Sequence, residues 1–130
     1  MPPRLLRAYR ATRYQVDDVT VRIGRRSKAM DDLLGAMGTR TGGFITAWNP
    51  LSHRMPEGWN RRMQHRLAER LRRYPLLPAS GTLRRWHEAH LLVAAQPGQL
   101  PRLARLFRQR GLVLVHHHQP ARLMLLRWAC

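Results

Sequence analysis

Cysteine, lysine and acidic residues are scarce in this sequence. Cys130 is the only cysteine and the last residue. It can close no internal disulfide, which fits a reducing compartment, and a terminal residue is usually too frayed to act as a nucleophile. No CxxC pair exists to hold zinc. No apolar run approaches the ~20 residues of a membrane span. The opening stretch, MPPRLLRAYRATRY, has no long apolar core and no small-residue cleavage site, so it does not read as a secretory signal. A cytoplasmic protein with no membrane partner is the expectation.

The chain has 130 residues, which fits a single domain over 1–130. A chain of that size buries roughly two-thirds of its unfolded surface and needs neither disulfide nor metal to fold. Charge is the loudest feature. There are 24 basic and 7 acidic residues, a net +17, and every basic residue but Lys28 is arginine. A GC-rich genome accounts for arginine over lysine, but not for so few acids. Binding to polyanions is the physical consequence to expect.

Segment 8–16, AYRATRYQV, reads as extended. Asp17-Asp18 makes a turn, and Val19, Val21 and Ile23 alternate with polar residues, so 8–23 reads as a β-hairpin. Ser27 is placed to cap a helix carrying Met30, Leu33, Leu34 and Met37, which Gly38 ends. Phe44–Trp48 is a strand apolar on both faces, hence central in its sheet. The proline-bearing stretches 49–58 and 74–81 read as loops. Between them a basic helix carries the stripe Trp59, Met63, Leu67 and Leu71. Leu83–His87 and His90–Ala95 read as two strands or one bent strand. A third helix over about 99–109 and two strands, Leu112–His116 and Ala121–Trp128, complete the chain. The order ββ-α-β-α-β(β)-α-ββ predicts an α+β domain with a single mixed β-sheet and about three helices.

No motif names a reaction. WHEAH (86–90) has the wrong spacing for the HExxH zinc motif, and His116-His117-His118 alternate across a strand. No GxSxG and no phosphate loop are present. Gly24-Arg25-Arg26-Ser27 is better explained as a helix cap than as an anion site. Most of the aromatics fit a core. Polar residues recur beside aromatics at element ends: Asn49 and Ser52 after Trp48, Asn60 after Trp59, Glu88 after Trp86, and Gln109 after Phe107. An Asx-turn accounts for Asn49 and helix capping for Asn60. Glu88, one of seven acids, is the best general base or cation anchor.

FITAWNPLS (44–52) followed by Asn60, YRATRY (9–14) with RIGRRS (22–27), and Trp86-x-Glu88 before Leu91–Val93 resemble the bacterial family called domain of unknown function 3293. FRQRGLV matches that family's Phe-Gly-Gln-Asn-Ala junction at Phe107 and Gln109, and departs from it at Arg108, Arg110 and Gly111. The resemblance implies a stand-alone small α+β protein without an assigned activity.

The leading expectation is a binding module without a cofactor. Its polar site at the strand ends would comprise Asn49, Ser52, Asn60, Glu88 and Gln109, and its ligand would be a polar molecule or a protein partner. The alternative is a nucleic-acid- or ribosome-associated protein using Arg61, Arg62, Arg66, Arg70, Arg73, Arg102, Arg105 and Arg108. A third reading is a small enzyme with Glu88 as acid or base.

Overall fold

The computed structural model describes residues 2–127. Trp128, expected to end the last strand, and Cys130 lie outside the described residues. The elements run α1 (Pro3–Ala11), β1 (Arg13–Val16), β2 (Val19–Val21), α2 (Lys28–Ala36), β3 (Thr41–Ile45), α3 (Glu57–Arg70), β4 (Leu76–Leu83), β5 (Trp86–Val93), α4 (Pro101–Leu106), β6 (Gly111–His116) and β7 (Arg122–Leu125). Short 3₁₀ turns occupy Pro50–Ser52 and Pro97–Gln99.

The strands form one seven-stranded sheet in the order β2-β1-β4-β5-β3-β6-β7. Each neighbouring pair is antiparallel. The expected mixed sheet is therefore corrected: the parallel contact among the described residues is an isolated bridge from Ile23 to Ala121. That bridge joins the two edges. Gly24 N–H donates to the Ala121 carbonyl at 2.7 Å, and Ala121 N–H donates to the Arg25 carbonyl at 3.2 Å. The sheet curls until its margins touch, so part of each edge strand is covered rather than left as a template for pairing.

Period-two alternation sorts the core. Phe44, Leu92 and Val113 face one way and meet Met30 and Leu34 of α2. Ile45, Val93, Leu112 and Leu114 face the other and meet Leu67, Leu100 and Ala104 beneath α3 and α4. With both faces covered, β3 is buried throughout, and it lies between β5 and β6 as its composition predicts. Its Gly43 is needed for close approach: a Cβ there would lie 2.5 Å from Leu100 Cδ1.

Three expectations fail for identifiable reasons. Residues 8–11 are helical, because Pro3 at the first position of α1 sets the backbone for a helix that the tyrosine- and threonine-rich continuation obscures. The stretch 74–81, read as a loop, supplies most of β4. Its Pro78 is tolerated because β1 pairs only with Ser80–Thr82, leaving Pro78 with a partner strand on one side. The segment after it resolves into the end of β4, an Arg84-Arg85 turn and one strand, β5.

The helix ends differ in chemistry. At α2, Gly38 (φ 74°) donates to the Gly35 carbonyl, and Thr39 N–H donates to the Leu34 carbonyl. At α4 the same paired pattern runs from Arg108 N–H to Arg105 and from Gln109 N–H to Ala104, with Arg108 at φ 54°. Arginine thus holds a left-handed position that glycine adopts freely. Arg108→Gly should stabilise the fold by about 1 kcal/mol in urea titration, relief of strain outweighing the entropy of a freer unfolded chain. An unchanged or lower midpoint would contradict this account of the cap.

Candidate functional site

The apolar run after β3 leaves the sheet ladder at Ile45, three residues earlier than its composition predicts. Side chains then take over its backbone bonding. Thr46 Oγ1 donates to the Ala89 carbonyl at 2.6 Å and accepts from Trp48 N–H at 3.0 Å. Ala47 N–H donates to Gln64 Oε1 of α3 at 2.8 Å. The chain then turns through left-handed residues at Asn49 (φ 47°), Leu51 (φ 50°) and Ser52 (φ 63°). Asparagine tolerates this region; a leucine there is strained, and such strain concentrates at functional loops. The loop is fixed from the end of α4: Leu51 N–H donates to the Arg108 carbonyl at 2.6 Å, and Arg110 Nε donates to the Leu51 carbonyl at 3.3 Å.

Asn49 is buried and uses both ends of its amide. Its Oδ1 accepts from Asn60 Nδ2 at 2.8 Å and from Met55 N–H at 2.9 Å. Its Nδ2 donates to Glu88 Oε1 at 2.9 Å. Its backbone N–H donates to Asn60 Oδ1 at 2.9 Å. This replaces the Asx-turn expected from sequence. Asn60 does not cap α3 either: the cap position is Pro56, and Asn60 sits within the helix with its amide spent on Asn49 and Met55.

Glu88 receives a second bond from Trp86 Nε1, also at 2.9 Å and also on Oε1. Among the described residues Oε2 has no protein partner. Burial raises the Glu88 pKa above its ordinary 4.5, and the Trp86 and Asn49 bonds oppose that shift. Trp86 is 43% exposed, so it is a rim residue rather than the core aromatic expected, and the Arg54 guanidinium lies 5.6 Å from its ring centroid. Two residues beyond Glu88, His90 is buried, and burial pushes its pKa down to about 4. Its Nδ1 lies 3.2 Å from the Glu88 carbonyl, which can only accept, so Nε2 is the acceptor of the neutral ring. The imidazole edge meets Tyr14, with ring centroids 5.6 Å apart.

These groups line a cavity of about 730 Å³. Helix α1 supplies Arg4, Leu5 and Tyr9; the sheet supplies Tyr14, Phe44, Glu88, His90 and Leu112; the loops supply Trp48, Asn49, Ser52, Gln109 and Arg110. Burial, reinforced by the Glu88 charge, pushes the Tyr9 hydroxyl up to about 12, against Arg110 and the Gly111 N–H. Gln109 Nε2 lies 3.2 Å from the carbonyls of both Trp48 and Phe107.

The structure therefore brings four of the five expected polar residues, Asn49, Ser52, Glu88 and Gln109, to one cavity, with Asn60 buried behind Asn49. Sequence reasoning missed Arg4, Tyr9, Tyr14, Trp86, His90 and Arg110. A usable signal existed for two of them: in a strand Trp86, Glu88 and His90 share one face by period two. The eight arginines expected to meet nucleic acid are all exposed on or just after α3 and α4. Arg61 pairs with Glu57 at 3.2 Å; the other seven form no ion pair among the described residues. Arg66 and Arg70 border a groove with Met63, Leu106 and Phe107, separate from the cavity. The unforeseen α1 adds Arg4, Arg7 and Arg10, so positive charge is spread more widely than the sequence suggested.

A family model described as protein of unknown function (DUF3293) matches residues 45–112, just over half of the chain. The chain belongs to this family. The stretch of the DUF3293 match carries Asn49, Ser52, Asn60, Trp86, Glu88, His90, Gln109 and Arg110; Arg4, Tyr9 and Tyr14 lie outside it. No curated protein and no solved structure matches the chain. Among the described residues no helix is long and apolar enough to cross a membrane.

The two buried titrating groups oppose one another in acid. Glu88, with its folded pKa raised above 4.5, contributes stability that is lost as pH rises through that raised value. His90, lowered to about 4, contributes stability present above its ordinary 6.5 and lost as pH falls through about 4. Glu88→Gln keeps an acceptor for Asn49 and Trp86 but does not titrate. Its unfolding free energy should therefore rise more steeply with pH between 4.5 and 6.5 than the parent's, as read by urea denaturation across that window. Equal slopes would contradict the burial of Glu88.

Proposed function

We propose that this DUF3293 chain is a binding domain for a small polar molecule, which enters the cavity and bonds to Glu88. The observation that carries the reading is the half-used carboxylate: two donors converge on Oε1, while among the described residues Oε2 is without a protein partner on the wall of a cavity of about 730 Å³. Ligand cavities run to roughly 300–1,000 Å³, with mostly apolar walls and few placed polar groups. Tyr14, Phe44 and Leu112 supply such walls, and Asn49 holds Glu88 in place on them. The strained loop at Asn49–Ser52 supports a binding role. Burial that raises the Glu88 pKa also suits that carboxyl to proton transfer, so it is the group to test if a bound molecule turns over. A library of polar fragments followed on the Trp86 indole N–H resonance tests the reading. Bound fragments should shift that signal, and Glu88→Ala should weaken them about tenfold or more, the worth of one charge-assisted bond. Failure of every fragment to move Trp86, or equal binding by the variant, would sink it.

A second reading is supported by the exposed arginines of α3 and α4 that form no ion pair among the described residues. They suit a phosphate backbone. Single-stranded and duplex oligonucleotides should bind with an affinity that falls steeply with salt, and charge reversal at Arg62, Arg66, Arg102 and Arg105 should weaken both alike. A flat salt dependence would remove this reading.

A further inference from the structure

We infer that the cavity takes an amphoteric small molecule, with an amine or amidine nitrogen on Glu88 and a carboxylate or phosphate held by Arg110 and Arg4. The inference rests on the binding reading above and adds the chemical class of the ligand.

The lining carries charge of both signs without pairing them. Glu88 is the acid of the cavity wall, and Arg4 and Arg110 are its bases. No ion pair joins Glu88 to either arginine among the described residues. Arg110 uses Nε on the Leu51 carbonyl, and among the described residues both terminal nitrogens of its planar fork are uncommitted, the part that meets carboxylate or phosphate oxygens in pairs. Tyr9 reports that both charges act at one place. Its hydroxyl, on the same cavity wall as both, feels the Glu88 carboxylate in one direction and the Arg110 guanidinium in the other. His90 adds no competing cation at neutral pH, because burial keeps it uncharged.

A ligand of one sign is disfavoured at one end of such a site. A simple cation would satisfy Glu88 Oε2 but face two guanidinium groups. A simple anion would satisfy the arginines but face a carboxylate already short of donors. Discrimination of this kind uses repulsion as well as attraction. With one acid and two bases on the wall, the best match carries one donor nitrogen and one or two negative charges. Between the ends, Phe44, Tyr14, Leu112 and Leu5 offer an apolar lining suited to a short carbon chain or ring.

Four probes of one chain length test this by calorimetry and by the Trp86 indole resonance: 5-aminopentanoate, 5-aminopentyl phosphate, pentylamine and pentanoate. Both bifunctional probes should bind at least tenfold more tightly than either single-ended one, and their order separates a carboxylate from a phosphate site. Arg4→Gln, an exposed position on α1, should reduce the bifunctional affinities while pentylamine binds as well or more tightly, one repelling charge being gone; Arg110→Lys should retain part of what Arg110→Gln loses. Glu88→Gln should erase the advantage of the amine. Bifunctional probes no tighter than pentylamine or pentanoate, while neutral fragments still shift Trp86, would overturn the amphoteric ligand and leave the binding site standing. Silence from charged and neutral compounds alike would overturn both.

Discussion

The carboxamide of Asn49 is the interaction on which the site depends. One buried side chain joins the loop after β3 to α3 through Asn60, to the backbone of the loop at Met55, and to β5 through Glu88. An amide is the group that can do this, since it donates and accepts at once. A carboxylate would set like charges against Glu88, and an alkyl group would leave Asn60 Nδ2, Met55 N–H and Glu88 without their shared partner. Leaving such groups unsatisfied costs roughly 1–3 kcal/mol each, more when one is charged.

The electrostatics of the cavity follow from that joint. Asn49 and Trp86 hold Glu88 by one oxygen, which leaves the other without a protein partner among the described residues. Burial then works in opposite senses on its two neighbours along the same face of the sheet, raising Glu88 and lowering His90. The curl of the sheet and α1 place Tyr9 and Arg4 opposite these groups, and the helix-end turn at Arg108 sets Gln109 and Arg110 beside them. A strained cap and a strained loop brace one another through the hydrogen bond from Leu51 N–H to the Arg108 carbonyl.

Much of this was legible in the sequence. Ser27, Gly38 and the apolar spacing between them placed α2, and the doubly apolar FITAW run placed an interior strand. Asn49, Glu88 and Gln109 were singled out as polar residues beside aromatics at element ends, and they share a cavity. What stayed hidden depended on tertiary context. Pro78 looked like a loop residue because nothing local shows that its strand lacks a partner on one side. Thr46–Trp48 looked like strand because they continue an apolar run, although their backbone bonds to Gln64 and to Thr46 itself rather than to a ladder. Helix α1 does carry Leu5, Ala8 and Tyr9 at helical spacing, but reading 8–16 as extended split that stripe and concealed it. Tyr9 and Arg4 reach the cavity only because that helix folds back over the sheet. The exchange of an Asx-turn and a helix cap for one Asn49–Asn60 pair is likewise invisible in sequence, because both amides satisfy local and distant partners equally well on paper.

The most direct test is the coupling between Asn49 and Glu88. Asn49→Gly suits the left-handed backbone and removes the amide without adding strain; Glu88→Ala removes its partner. A double-mutant cycle of these two changes, measured by urea unfolding, should give a coupling of about 1–2 kcal/mol, since groups that share a buried hydrogen bond do not contribute independently. Additivity within about 0.3 kcal/mol would show that the two side chains act separately, and would contradict the account of the cavity as a site built on their contact.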